Sequence, residues 1–90
     1  MRVLVTGATG FVGVNIVRTL ALQGDTVVAT DLREPDEAVW RYLRGHEGRV
    51  TFVAGDVRAQ ALRRDLGGRG PYDGLIHAAV ITAVNLDFEM

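Results

Sequence analysis

The sequence predicts an α/β domain built on a doubly wound parallel sheet with helices on both faces. Short β-branched, apolar runs alternate along the chain with segments in which apolar residues recur every three or four positions. In addition, three glycines in "TGATGFVG", residues 6–13, stand between the first such run and the first helical segment. The predicted order is β-α-β-α-β-α-β, and strands connected in this way pair in parallel through right-handed crossovers.

Four runs have the composition of strands, and the first of them suits a strand buried on both faces of a parallel sheet. They are residues 2–6 (RVLVT), 26–30 (TVVAT), 49–54 (RVTFVA) and 74–79 (GLIHAA). Each is rich in apolar or β-branched residues and lacks a helical period. A sheet that ended at the fourth run would leave a strand edge unpaired, so we expect the chain to be the front portion of a larger protein.

The three segments between these runs have helical periodicity. The first, residues 11–23, is followed by Gly24, which is placed to cap a helix. Its apolar stripe consists of Val12, Ile16, Val17, Leu20 and Ala21. The second helix is expected to begin near Pro35 and to stop at Gly45. The third is residues 58–66, and a glycine-rich connection follows it.

Composition excludes several classes of function. The chain has 90 residues, of which 48% are hydrophobic and 23% charged, and its net charge of -1 gives no electrostatic reason to expect nucleic acid or an anionic membrane as a partner. No apolar run is long enough to span a membrane and no signal peptide is recognisable, so we expect a cytoplasmic protein. The chain has no Cys and no Lys, which excludes thiolate chemistry, Cys-based metal sites and any mechanism that needs a lysine from these residues.

The three glycines lie between a strand and a helix, as in a phosphate-binding site, although Gly7 and Gly10 are three residues apart where the dinucleotide fingerprint has two. Backbone N–H groups and the positive end of the helix dipole attract an anion there. Gly7 can make the tight turn out of the strand, Gly10 lets a pyrophosphate approach the backbone, and Gly13 lets the helix pack closely. A tight turn without a ligand is the alternative. The Gly-Lys-Ser/Thr phosphate loop is excluded because the chain has no Lys.

Asp31 ends the second strand and stands 18 residues after Gly13. A carboxylate at about this spacing accepts hydrogen bonds from the adenosine ribose in dinucleotide-binding, Rossmann-type domains. It also repels the 2'-phosphate of NADP, so we expect NAD rather than NADP. Arg33 either offsets part of this repulsion or is a solvated loop cation.

Four motifs in this order resemble those of the extended short-chain dehydrogenases/reductases, the NAD-dependent epimerase/dehydratase family. They are "TGATGFVG" at 6–13, Asp31, "GDV" at 55–57 and "HAA" at 77–79. The resemblance spans nearly the whole chain. It implies that residues 1–90 are a partial NAD(P)-binding Rossmann domain, and that the remaining strands and the substrate-binding part lie outside this chain.

The resemblance also implies a cofactor site. The residues around the pyrophosphate would be Gly7, Thr9, Gly10, Phe11, Val12 and Gly13. Of these, Phe11 and Val12 would offer their backbone N–H groups. Those at the adenosine ribose would be Asp31, Leu32 and Arg33. Asp56 would bind the adenine amino group beside Val57, and the nicotinamide-side ribose and pyrophosphate would lie over Ala78, Ala79 and Val80. Two alternatives stay open, in which Asp56 caps the following helix and His77 is structural rather than an acid–base group.

Members of the family use a Tyr-x-x-x-Lys pair for proton transfer. Here Tyr42 and Tyr72 are followed four positions later by His46 and Ile76. These 90 residues lack the pair and alone would be inactive. For the parent protein, the resemblance implies a homodimer that transfers hydride to and from a carbohydrate or nucleotide sugar. The alternatives are a non-catalytic NAD(P)-sensing regulator, which Asp31 disfavours, and a carbonyl reductase or hydroxysteroid dehydrogenase-like member.

Overall fold

The computed structural model of the chain describes residues 1–78. Within this part four parallel strands form one sheet: β1 (Arg2–Thr6), β2 (Thr26–Asp31), β3 (Val50–Ala54) and β4 (Gly74–His77). Their spatial order is β3-β2-β1-β4, so the chain moves outward from β1 to β3 and then crosses back to the other side of β1. This is the order at the centre of a Rossmann-type sheet, and it confirms the predicted fold class. The predicted last residue of the fourth strand, residue 79, lies outside the described residues.

Three α-helices connect the described strands: α1 (Phe11–Leu22), α2 (Glu37–Tyr42) and α3 (Gln60–Gly68). A 3-10 turn, Glu47–Arg49, precedes β3 and was not predicted. Helices α1 and α2 share one face of the sheet, where their apolar side chains join a buried cluster of Val3, Val5, Ala8, Val17, Ala21, Val27, Ala29, Leu43 and Val50. Helix α3 covers the other face through Leu62 and Leu66, which pack against Val28.

The central strands β1 and β2 are largely buried on both faces because their side chains alternate between these two clusters. In β2, Val27 and Ala29 face α1 while Val28 faces α3, and all three are almost inaccessible to solvent. Successive residues of a strand face opposite sides of the sheet, and in β2 both sides are apolar. The sequence of β2 is therefore continuously hydrophobic. The sheet thus has a fixed register, in which Thr6 of β1 lies level with Thr30 and His77.

The rotation of α1 about its axis is set by Gly13. A Cβ at this position would lie 2.0 Å from the Gly7 carbonyl oxygen and 2.8 Å from the Ala8 Cα, so the helix touches the preceding loop there. The buried face continues from Gly13 to Val17 and Ala21. The sequence placed the centre of the stripe one residue earlier, on Val12, Ile16 and Leu20, because a glycine carries no hydrophobic signal.

Two helices begin later than their sequence patterns predict. Helix α2 begins at Glu37 because the Asp36 side chain accepts a hydrogen bond from the Val39 N–H at 3.1 Å, which makes Asp36 rather than Pro35 the boundary. Helix α3 begins at Gln60 rather than at residue 58, because residues 56–59 form a turn closed by the Ala59 N–H on the Asp56 carbonyl at 2.9 Å.

Gly13→Ala should destabilise the fold. The added methyl group would overlap backbone atoms, which cannot move aside as a flexible side chain can, so we expect the free energy of unfolding to fall by about 1–3 kcal/mol or more. Gly67→Ala is the matched control, because its Cβ would meet no atom within 4 Å and alanine is favoured in a helix. Urea denaturation of both variants measures the difference, and equal stabilities would contradict the close contact at Gly13.

Candidate functional site

The carboxyl ends of the four strands meet at a groove of about 350 Å³. Its lining consists of Thr6, Asp31, Leu32, Gly55, Asp56, Val57, Arg58 and His77. Every strand therefore supplies the groove, either with its last residue or with the loop that follows it. Ligands of open parallel sheets bind at this edge, where the strand order reverses on either side of β1.

The glycine-rich loop lies between this edge and helix α1. Gly7 has a φ of 67°, a conformation that residues with a Cβ rarely adopt, and this turns the chain sharply out of β1. The Ala8 N–H donates to the Thr30 carbonyl at 3.2 Å and the Gly10 N–H donates to the Gly7 carbonyl at 3.3 Å. The first bond ties the loop to β2 and the second closes a turn within the loop, so the start of α1 is held close to the end of β2.

The first turn of α1 is open to an anion. Gly10 is its N-cap residue and contributes no capping side chain, and the turn holds no acidic residue. Within residues 1–78, the N–H groups at this end thus have no side-chain acceptor that an arriving phosphate would have to displace. The predicted contribution of Phe11 and Val12 through their N–H groups is compatible with this geometry, while the Phe11 side chain is 85% exposed.

Asp31 is held by three hydrogen bonds from its own chain. The Thr9 hydroxyl donates to its Oδ2 at 2.6 Å, the Thr9 N–H to the same oxygen at 3.0 Å, and the Leu32 N–H to Oδ1 at 2.7 Å. Burial alone would raise the pKa of the Asp31 carboxyl, but the hydrogen bonds from Thr9 and Leu32 outweigh it and lower this pKa below 3.8. Asp31 is therefore a fixed negative charge at the groove.

Asp56 is the second carboxylate of the groove, and it pairs with Arg58. The Arg58 guanidinium donates to both carboxylate oxygens at 2.8–3.1 Å, and the Arg58 N–H donates to Oδ1 at 2.9 Å. These bonds, the guanidinium first, lower the pKa of the Asp56 carboxyl to about 2. Helix α3 begins beyond this turn with Ala59 as its N-cap residue, so Asp56 does not cap the helix.

His77 ends β4 beside Thr6. The Thr6 hydroxyl lies 2.8 Å from the His77 Nδ1, and it also approaches the Ile76 carbonyl at 3.4 Å. This contact joins the ends of two neighbouring strands and favours a structural role for His77. The ring is nevertheless exposed at the groove.

The structure brings four of the predicted site residues together in the groove: Asp31, Leu32, Asp56 and Val57. Leu32 and Val57 are 69% and 39% exposed, which leaves two apolar side chains available to the flat faces of a ring. Arg33 is exposed and does not line the groove. Ala78, the residue after β4, is buried, and Ala79 and Val80 lie outside the described residues.

Sequence reasoning assigned no site role to Thr6, Gly55 or Arg58, all of which line the groove. Thr6 is the last residue of β1 and Gly55 is the first residue after β3. Their places at the carboxyl ends of predicted strands could have identified them as site residues. Arg58 stands two residues after Asp56, where a turn brings a backbone N–H and a long cationic side chain back to the same carboxylate.

Two larger grooves lie along α1, and both include Phe11 of its first turn. One of about 460 Å³ follows its outer surface, and one of about 600 Å³ lies between α1 and α2. Among residues 1–78, Asp36 is the only carboxylate that lines either of them, and it already caps α2. Polar groups converge on the smaller groove instead, and its residues are the better candidate for a binding site.

Two kinds of feature are missing from residues 1–78. No group of three or more His, Asp or Glu side chains is arranged to hold a metal ion there. In the same part of the chain, no helix has both the length and the apolar character needed to cross a membrane.

Residues 3–89 match the profile of the NAD dependent epimerase/dehydratase family. UDP-glucose 4-epimerase of Neisseria gonorrhoeae is 35% identical over 86 residues, which are 93% of this chain and 25% of that enzyme. Divinyl chlorophyllide a 8-vinyl-reductase of Oryza sativa subsp. indica, a chloroplastic enzyme, is 46% identical over 88 residues, which are 87% of this chain and 19% of that enzyme. The chain thus spans about a quarter or less of the length of these relatives.

A solved structure has the same fold. Serine dehydrogenase from Escherichia coli superposes with a TM-score of 0.58 at 33% sequence identity, over 79% of this chain and 32% of that chain. The parallel sheet with alternating helices is therefore shared with a known dehydrogenase.

Arg58→Gln should raise the pKa of the Asp56 carboxyl from about 2 towards its ordinary value of 3.8, because it removes the guanidinium that lowers it most. The stability contributed by this pair is present above about pH 3.8 and lost as the pH falls through about 2. An NMR titration of the side-chain carboxyl carbons measures both values. Arg41→Gln, which breaks the exposed pair with Glu37, is the control and should leave Asp56 unchanged.

Proposed function

Because the chain belongs to the NAD dependent epimerase/dehydratase family, we propose that it is the NAD-binding N-terminal portion of an oxidoreductase that acts on a carbohydrate or nucleotide sugar by hydride transfer. One observation carries the proposal. Two ionised carboxylates, Asp31 and Asp56, line a groove at the carboxyl edge of the sheet, and Thr9, which precedes the uncapped start of α1, is hydrogen-bonded to Asp31. A dinucleotide offers the matching groups, namely phosphates, ribose hydroxyls and an adenine amino group.

Each part of an adenosine diphosphate moiety has a partner of complementary chemistry. The phosphates suit the free N–H groups of the first turn of α1, supported by the close packing that Gly13 permits. A ribose hydroxyl suits the carboxylate of Asp31, which is ionised and already oriented. The adenine ring suits the exposed side chains of Leu32 and Val57, with its amino group towards Asp56.

Binding of the adenine amino group requires Asp56 to exchange a partner. The carboxylate already accepts from the Arg58 guanidinium and N–H, and these bonds use both oxygens. The pair is mostly exposed, with 87% of the Arg58 side chain accessible, so water screens it and its rupture costs little. The guanidinium can therefore leave when adenine arrives.

The charge at Asp31 supports NAD over NADP. A 2'-phosphate would lie close to a carboxylate that stays ionised throughout the neutral range. Arg33 is exposed and does not line the groove.

A nucleotide-sugar substrate for the parent protein is supported by the similarity to UDP-glucose 4-epimerase. A bound nicotinamide ring supplies or accepts the hydride in such enzymes. The sequence holds no Lys and hence no Tyr-x-x-x-Lys pair, so the parent would contribute proton transfer from residues beyond these 90. A cytoplasmic location and a homodimeric parent belong to the same proposal.

The second candidate is a reductase of the same family. The 46% identity to a vinyl-reductase favours it, as does the shared fold with a dehydrogenase. The two candidates differ in the fate of the cofactor, because an epimerase returns the hydride to its substrate whereas a reductase consumes one reduced cofactor per turnover. Both require the same dinucleotide groove.

Asp31→Ala should weaken NAD binding by at least about tenfold, because hydrogen bonds to a charged group contribute roughly 1.5–3 kcal/mol. Calorimetric titration of the 90-residue chain with NAD measures the change. Asp65→Ala is the control, since Asp65 pairs with Arg69 on α3 and does not line the groove. Equal NAD affinity of the wild type and Asp31→Ala would refute the ribose assignment, and a wild-type chain without affinity for NAD would refute the proposed function.

A further inference from the structure

We propose that Thr9 is the positioning residue that makes this site select NAD over NADP, by clamping the Asp31 carboxylate in place. The inference rests on the proposed function and extends it, because Thr9 then acts through Asp31 rather than on the pyrophosphate. It starts from an observation that the glycine pattern does not predict. The one residue with a hydroxyl in the loop at 7–10 directs that hydroxyl to the end of the neighbouring strand.

The contact is double and bridges two elements. Thr9 donates to Asp31 Oδ2 through its hydroxyl at 2.6 Å and through its N–H at 3.0 Å. Hydrogen bonds to an ionised acceptor are short and about twice as strong as neutral ones, and the hydroxyl bond has this character. Both residues are partly buried, so water competes for the bond less than at an open surface.

These bonds determine what remains of Asp31 for a ligand. A carboxylate has about four acceptor positions. Thr9 uses two on Oδ2 and the Leu32 N–H uses one on Oδ1, which leaves one position, on Oδ1. Asp31 can therefore accept from one ribose hydroxyl without breaking a bond of its own chain.

The clamp also determines the response to a 2'-phosphate. A carboxylate on a free side chain could rotate away from a second negative charge or take up a proton. Held by Thr9, Asp31 cannot rotate away without losing two hydrogen bonds, and the same bonds favour its ionised form over the protonated one, so the repulsion is maintained. Discrimination between two ligands is strengthened when the repulsive group cannot move.

Thr9→Val tests this role, because it removes the hydroxyl and keeps the shape and the backbone N–H. We expect the ratio of the NADP to the NAD dissociation constant to fall by about fivefold, the factor that one typical hydrogen bond represents. Thr9→Ser keeps the hydroxyl and should keep the ratio. Titrations of the 90-residue chain with each cofactor, followed by NMR, measure both constants.

A second measurement does not depend on cofactor binding. In the ligand-free chain, Thr9→Val should raise the pKa of the Asp31 carboxyl, whereas Thr9→Ser should not. The other ionisable groups of the groove are Asp56, Arg58 and His77, and Asp56 serves as an internal reference in the same titration. If Thr9→Val does not fold, Thr9→Ala is used in its place.

The outcomes separate the inference from the proposed function. A lowered ratio in Thr9→Val that is absent in an Asp31→Asn background, together with the raised Asp31 pKa, supports the clamp. If Thr9→Val weakens NAD and NADP by the same factor, or leaves the Asp31 pKa unchanged, Thr9 only ties the loop and the inference fails. A wild-type chain that binds neither cofactor overturns the proposed function, and selection by Thr9 with it.

Discussion

The close approach of helix α1 to the loop after β1 is the constraint on which the rest of the site depends. At Gly13 the helix lies so near the Gly7 carbonyl that a single methyl group would overlap it. This contact rotates α1 so that Val17 and Ala21 face the sheet, and it places the uncapped first turn at the carboxyl edge. A bulkier residue would move the helix and shift its first-turn N–H groups relative to the strand ends.

Both acidic residues of the groove are already engaged by donors from their own chain. Thr9 clamps Asp31 inside the loop, while Arg58 pairs with Asp56 at the surface. The two arrangements differ in their consequences, because Asp31 is partly buried and held from two elements, whereas the Arg58 pair is mostly exposed. We infer that Asp31 is a rigid acceptor with a fixed charge and that Asp56 exchanges its partner when a ligand binds.

The fold followed from the sequence because a short apolar run, in most cases rich in β-branched residues, predicts each strand, and helical spacing predicts each crossover. The same logic located Asp31 and Asp56, since the carboxyl ends of parallel strands share one edge. The finer features depended on side-chain partners that spacing does not encode. The start of α3 was misplaced because the Asp56 turn occupies residues 56–59, and the clamp by Thr9 depends on the curvature of the loop at Gly7.

The most direct test of the dinucleotide site is to map backbone amide shifts of the isotope-labelled chain during titration with NAD. The account predicts that the largest changes occur at the first turn of α1, at Leu32 and at Val57, while Thr19 and Gln23 in the groove along the outer surface of α1 stay unchanged. Shifts concentrated on Thr19 and Gln23, or absent from the strand ends, would contradict it.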